Sequence, residues 1–145
     1  MPISTNHVPG VTGLFIPFHV PSSKNSRRIV RNPSTGKMLV IHSKSAVKYK
    51  KVTGIIWKTD KASFHKMLEG LSKPYAVHFK FYRGNRSKFD YINPLQTVQD
   101  QMTEYGWIDD DNADEIFPVL EKYVYDKLNP GILIFVNKNF SFNTN

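Results

Sequence analysis

The sequence predicts a single α+β domain. Three observations carry that reading: a length of 145 residues, one strongly alternating apolar stretch, and apolar stripes at helical spacing on either side of it. A chain of this length normally forms one domain and buries about two thirds of its unfolded surface, so its core needs neither a disulfide nor a structural metal. Tyr75, Val77, Phe79 and Phe81 alternate with Ala76, His78, Lys80 and Tyr82, the period of a half-buried strand. The expected architecture is a mixed β-sheet packed with helices on one face. It spans residues 14–137, between a flexible N-terminal arm (1–13) and a flexible tail (138–145).

In chain order, residues 1–13 are polar and turn-rich. Leu14 to Val20 fits a first strand ending at Pro21, because proline cannot donate to a sheet ladder. The stretch PSSKNSRRIVRNPSTGK reads as a basic loop with turns at Asn32-Pro33 and Thr35-Gly36, and Met38 to His42 resumes a short strand, so a hairpin with the basic loop at its tip is expected. From Ser43 the period changes. Ala46, Tyr49, Val52, Ile55 and Ile56 recur at helical spacing, and a second helical piece follows Asp60, where Phe64, Met67, Leu68 and Leu71 form a stripe. After the Tyr75–Arg83 strand, a helix starts near Asn93 with Pro94 in its first turn and Gly106 beyond its end. Its buried face is Leu95, Val98, Met102 and Tyr105, and its polar face is Asn93, Gln96, Asp100 and Glu104. Ile116 to Tyr125 and Gly131 to Val136 read as two further strands.

The net charge of +8 says less than its distribution. Residues 1–59 hold ten Lys or Arg and no acid, whereas residues 89–121 hold nine acids and no Lys or Arg. A cation-only half favours a polyanion such as nucleic acid, through attraction to phosphates. Carboxylates beside such a surface repel the ligand unless a divalent cation bridges them. The absence of cysteine excludes a disulfide scaffold, a thiol nucleophile and a cysteine-based zinc site, and accords with a cytoplasmic setting. No stretch approaches the ~20 apolar residues of a membrane span, and no export signal is visible, so no membrane partner is expected.

Two acidic sites flank the 93–105 helix: Asp90 before it, and Asp109, Asp110 and Asp111 with Asn112 after it. They meet only if Trp107-Ile108 runs back as a strand beside the segment carrying Asp90, which would let one Mg²⁺ bridge them. The plain alternative is a solvated turn, since Asp and Asn favour turns through local hydrogen bonds. The five histidines show no metal-ligand spacing, no nucleophile signature surrounds Ser22 and Ser23, and the glycines form no phosphate-binding loop. Tyr82, Tyr91 and Trp107 are candidates either for the core or for stacking on unpaired bases.

Taken together, PSSKN after a first strand, a basic helix, a strand, FDYINPLQTVQD, a glycine and IDDDN make the chain, from roughly Ile16 to Val136, resemble the RusA-like Holliday junction resolvases, endonucleases common in phages and prophages. The resemblance implies a homodimer that binds four-way DNA junctions and makes paired nicks, with Mg²⁺, or Mn²⁺ as the alternative ion, held by aspartates. It assigns Asp90, Asp109 and Asp110 as catalytic metal ligands, with Asn93 and Asp100 in support; beside the pair, the adjacent Asp111 offers a further carboxylate in place of the missing one. Ile92 and Gln96 stand where the family pattern has an aspartate and a lysine, and Lys88 or Lys80 offers a replacement for the missing charge. The expected DNA contacts are Lys24, Asn25, Arg27, Arg28, Arg31, Lys37, Lys44, Lys48, Arg83 and Arg86. The rival expectation is a catalytically silent nucleic-acid-binding protein of the same fold, disarmed at positions 92 and 96.

Overall fold

The computed structural model describes residues 13–23 and 27–140, with the backbone alone described for 27–29 and 40–42. The predicted arm therefore lies, apart from Gly13, outside the described residues, as do residues 141–145 of the tail. Within them the order is β1 (Gly13–Pro17), β2 (Arg27–Arg31), β3 (Met38–His42), α1 (Lys44–Met67), β4 (Tyr75–Arg83), α2 (Ile92–Glu104), β5 (Ile116–Leu120), β6 (Val124–Tyr125) and β7 (Gly131–Phe135). The molecule is an α+β single domain, with a five-stranded sheet in the order β1-β7-β4-β5, β6 also pairing with β4, and a separate β2–β3 hairpin. The sheet is mixed. β7 runs antiparallel to β1 and β4, whereas β5 and β6 run parallel to β4. A parallel neighbour needs a long crossover, and α2 with the loop after it supplies one between β4 and β5. Among the described residues no helix is long and apolar enough to cross a membrane.

The alternation of β4 sends Val77, Phe79 and Phe81 into one core cluster, which they share with Ile132 and Ile134 of β7, Tyr49, Trp57 and Phe64 of α1, and Leu95, Val98 and Met102 of α2. Trp57 and Trp107 meet edge to face at 4.9 Å, and Phe64 stacks on Trp107 at 4.8 Å. Each such side chain contributes about 1.5–3 kcal/mol on full burial.

Four local expectations change. The first strand ends at Pro17 rather than Pro21, because Phe18 takes a positive φ of 83° and its N–H turns to the Pro130 carbonyl. The hairpin forms within the basic stretch itself: β2 supplies Arg27–Arg31 and pairs with β3, so the loop at its tip is only 32–37. The two helical pieces are one helix of 24 residues, capped by Ser43 Oγ accepting from the Ala46 N–H. Thr53 Oγ1 donates to the Tyr49 carbonyl and accepts from Trp57 Nε1, and a Cβ at Gly54 would lie 2.7 Å from the Tyr105 hydroxyl. The 116–125 strand is divided by a break at residues 121–123, where the Tyr123 N–H donates to the Tyr91 hydroxyl.

Candidate functional site

The crossover around α2 holds the acidic residues. At its start the Asn93 N–H donates to the Asp90 carbonyl, a backbone turn that leaves the Asp90 side chain exposed. At its end Gly106, at φ 75°, reverses the chain in a conformation that disfavours a side chain, and the Trp107 N–H returns to the Met102 carbonyl. Trp107 and Ile108 then enter the core instead of forming a strand, with Trp107 Nε1 donating to the Trp57 carbonyl. The return strand envisaged to bring Asp90 to the DDDN stretch is therefore not formed.

Each acid after the helix has its own surroundings. Asp109 pairs with Lys73 at 3.2 Å, and Lys73 pairs in turn with Glu115 at 2.6 Å. Glu115, with its side chain only 10% exposed, also accepts the Asp109 N–H through its second oxygen. The Glu115 bond, followed by that to Asp109, raises the Lys73 pKa above the ordinary lysine value. These groups line a cleft of about 460 Å³ with His65 and Tyr75. Asp110 turns onto its own loop, accepting the Asp111 N–H on one oxygen and the Asn112 side-chain amide on the other. The Asn112 bond, then the Asp111 N–H, holds the Asp110 pKa below the ordinary carboxylate value.

Asp111 is joined to α2. Gln96 Nε2 donates to Asp100 Oδ1 at 2.8 Å and to Asp111 Oδ2 at 2.9 Å, so the two carboxylates lie within two hydrogen bonds of each other across one amide. The spacing of residues 96 and 100, one helical turn, places both on the polar face, and the Asp110 turn delivers Asp111 to them. Among the described residues no group of three or more His, Asp or Glu side chains gathers as a metal cage. The Gln96 amide nitrogen stands between the two carboxylates, donating to one oxygen of each and leaving the second oxygen of each without a bond to it. Asp90 lines a different cleft, of about 470 Å³, with Arg86, Ser87, Lys88, Phe89 and Tyr123.

The cationic residues divide similarly. Arg31, Lys37, Lys44 and Lys48 are exposed on the hairpin and α1. Arg27 and Arg28 lie on β2, with their side chains outside the description, and Lys24 and Asn25 are outside the described residues altogether. Arg83, expected as a DNA contact, is 7% exposed. Its guanidinium sits 3.9 Å over the Phe89 ring, and Nη2 donates to the Ser87 carbonyl. Arg86 lies 4.0 Å over Tyr125, and Lys80 lies 5.7 Å from the Tyr82 ring.

Sequence reasoning overlooked Lys73, Glu115, His19 and Tyr123. The first two are separated by the whole of α2, and no local pattern marks their pairing. Trp107, a stacking candidate, is 1% exposed and belongs to the core. Compared with known proteins, the chain matches no family model and no curated protein.

Proposed function

We propose that this protein is a divalent-metal-dependent endonuclease that acts on branched DNA, in the manner of the RusA-like resolvases it resembles, as a homodimer whose two sites nick two strands of a four-way junction. The observation that carries the proposal is the joining of Asp100 to Asp111 by Gln96, in a chain whose first 59 residues are rich in cations and free of acids.

A lysine at position 96 would neutralise part of that carboxylate pair. The glutamine amide positions both oxygens and leaves their charge for a divalent cation and the phosphate it accompanies. Asp100 and Asp111 would hold Mg²⁺ or Mn²⁺. Asp110 shapes the turn that presents Asp111, and the Lys73–Glu115 pair anchors Asp109 at its root. Bound there, the ion supplies charge neutralisation at the scissile phosphate and an activated water. Asp90 and Lys88 line a separate cleft before the start of α2, where they meet an adjacent part of the strand, and Arg31, Lys37, Lys44 and Lys48 hold flanking phosphates.

One observation favours the silent-binder reading: Asp109 and Asp110, the paired aspartates of the family pattern, are already engaged by Lys73 and by their own turn. A synthetic four-way junction separates the two. The nuclease converts it to nicked duplexes in Mg²⁺ or Mn²⁺ and not in EDTA. Asp111→Asn and Asp100→Asn still shift the junction in a gel but cut it at least about a hundredfold more slowly, the loss of roughly 2.7 kcal/mol of transition-state stabilisation. A junction shifted but uncut with either ion makes the protein a silent binder. A junction that is neither shifted nor cut removes both readings.

A further inference from the structure

We infer that the cleft between the 84–90 loop and Tyr123 is a stacking site for an unpaired nucleobase of DNA. The inference rests on the nucleic-acid reading but assigns a site that none of the acidic chemistry uses.

The cleft is lined by Arg86, Ser87, Lys88, Phe89, Asp90 and Tyr123, and its volume of about 470 Å³ lies in the range of small-ligand sites, roughly 300–1,000 Å³. Its walls are aromatic and held in place. The rings of Phe89 and Tyr123 are 5.0 Å apart and perpendicular at 85°, so a flat ligand can lie on the face of one and against the edge of the other. Tyr91 packs on Phe89 at 5.1 Å, and its hydroxyl accepts the Tyr123 N–H at 2.9 Å, tying the β5–β6 connection to the start of α2. Arg83 lies over Phe89 and grips the Ser87 carbonyl, which fixes the loop beneath the cleft.

Tyr123 remains 40% exposed in the middle of this arrangement. An exposed aromatic in a cleft with two cations and one acid suits a ligand that is flat, apolar on its faces and anionic at its edge. A nucleotide meets all three conditions: its base has a π-face whatever its identity, and its phosphate lies within reach of Arg86 and Lys88. Bases within a duplex are already stacked and cannot enter, so the ligand is an unpaired one, such as those exposed where strands exchange.

The test compares wild type, Tyr123→Ala and Tyr123→Phe, with far-UV circular dichroism confirming the fold. The probes are a short fluorescein-labelled oligothymidylate, an unbroken duplex and a four-way junction. Tyr123→Ala weakens single-strand binding by about tenfold while Tyr123→Phe stays close to wild type, since stacking needs the ring and not the hydroxyl. All three proteins bind the duplex equally. Unchanged single-strand affinity in Tyr123→Ala overturns the inference, and if the junction is still cut the nuclease reading survives alone. An equal loss on single strand and duplex also overturns it, as does a wild type that does not bind the oligothymidylate. A selective loss in a protein that cuts nothing leaves the stacking site standing and removes the nuclease.

Discussion

His19 shows how one side chain can carry a pH response. Its Nδ1 accepts the Gly84 N–H at 3.1 Å, so in the neutral ring the proton sits on Nε2, which faces the Arg83 guanidinium at 3.4 Å. Protonating Nδ1 breaks the first contact and sets a second cation against Arg83. Burial, and then the Arg83 charge, accordingly hold the His19 pKa below its ordinary value of 6.5. The unfolded chain takes up a proton near 6.5 that the folded chain resists, so His19 costs no stability above that pH and a growing amount below it. His19→Asn keeps an acceptor for Gly84 and removes the titration. Its denaturant midpoint should decline less steeply than that of wild type as pH falls below 6.5, and parallel declines would absolve His19. Neither this role nor the Gln96 bridge is legible in the sequence, because each partner is remote: His19 meets residues 83 and 84, and Gln96 meets Asp111. The acids themselves were visible as a block. Which of them meet was decided by Trp107 and Ile108 going into the core.

At the scale of elements, legibility followed the strength of the local period. β4 occupies the predicted 75–83, and α2 begins within a residue of its predicted start with Gly106 beyond its end, because alternation, a first-turn proline and a terminal glycine are all local signals. The β2–β3 hairpin and the unbroken α1 were less legible. RRIVR reads as part of a basic loop, and Asp60 looks like the start of a second helix until the neighbours are known. Gly54 supplies a direct test of the α1–α2 contact. Replacing a glycine inside a helix with alanine ordinarily gains about 0.5–1 kcal/mol, but a Cβ here meets the Tyr105 hydroxyl at 2.7 Å. Gly54→Ala should therefore cost up to about 1 kcal/mol in urea unfolding. In a Tyr105→Phe background, which removes the colliding oxygen, the same change should become stabilising. Equal effects in both backgrounds would mean that the two residues are not coupled.

For the whole molecule, the charge is arranged rather than merely abundant. Lys44, Lys48 and Lys51 recur at helical spacing on the exposed face of α1, beside a hairpin whose Arg31 and Lys37 are also exposed, and Asp60 is the first acid in the chain. A net charge of +8 alone would attract DNA through every cation about equally, whereas a stripe attracts it through a few. The salt dependence of binding distinguishes the two, since each phosphate contact contributes about 0.9 to the slope of log affinity against log salt on duplex DNA. Removing Lys44 and Lys48 together as alanines should flatten that slope by about two units and weaken binding at physiological salt. Lys127→Ala deletes one of the same charges from the exposed turn between β6 and β7, outside the stripe, and should leave the slope unchanged. If Lys127→Ala and either single stripe variant shift the slope alike, the attraction belongs to the total charge and α1 is not the DNA-binding face. If only the stripe responds, the cation-rich half is the surface that carries DNA to the carboxylates on α2.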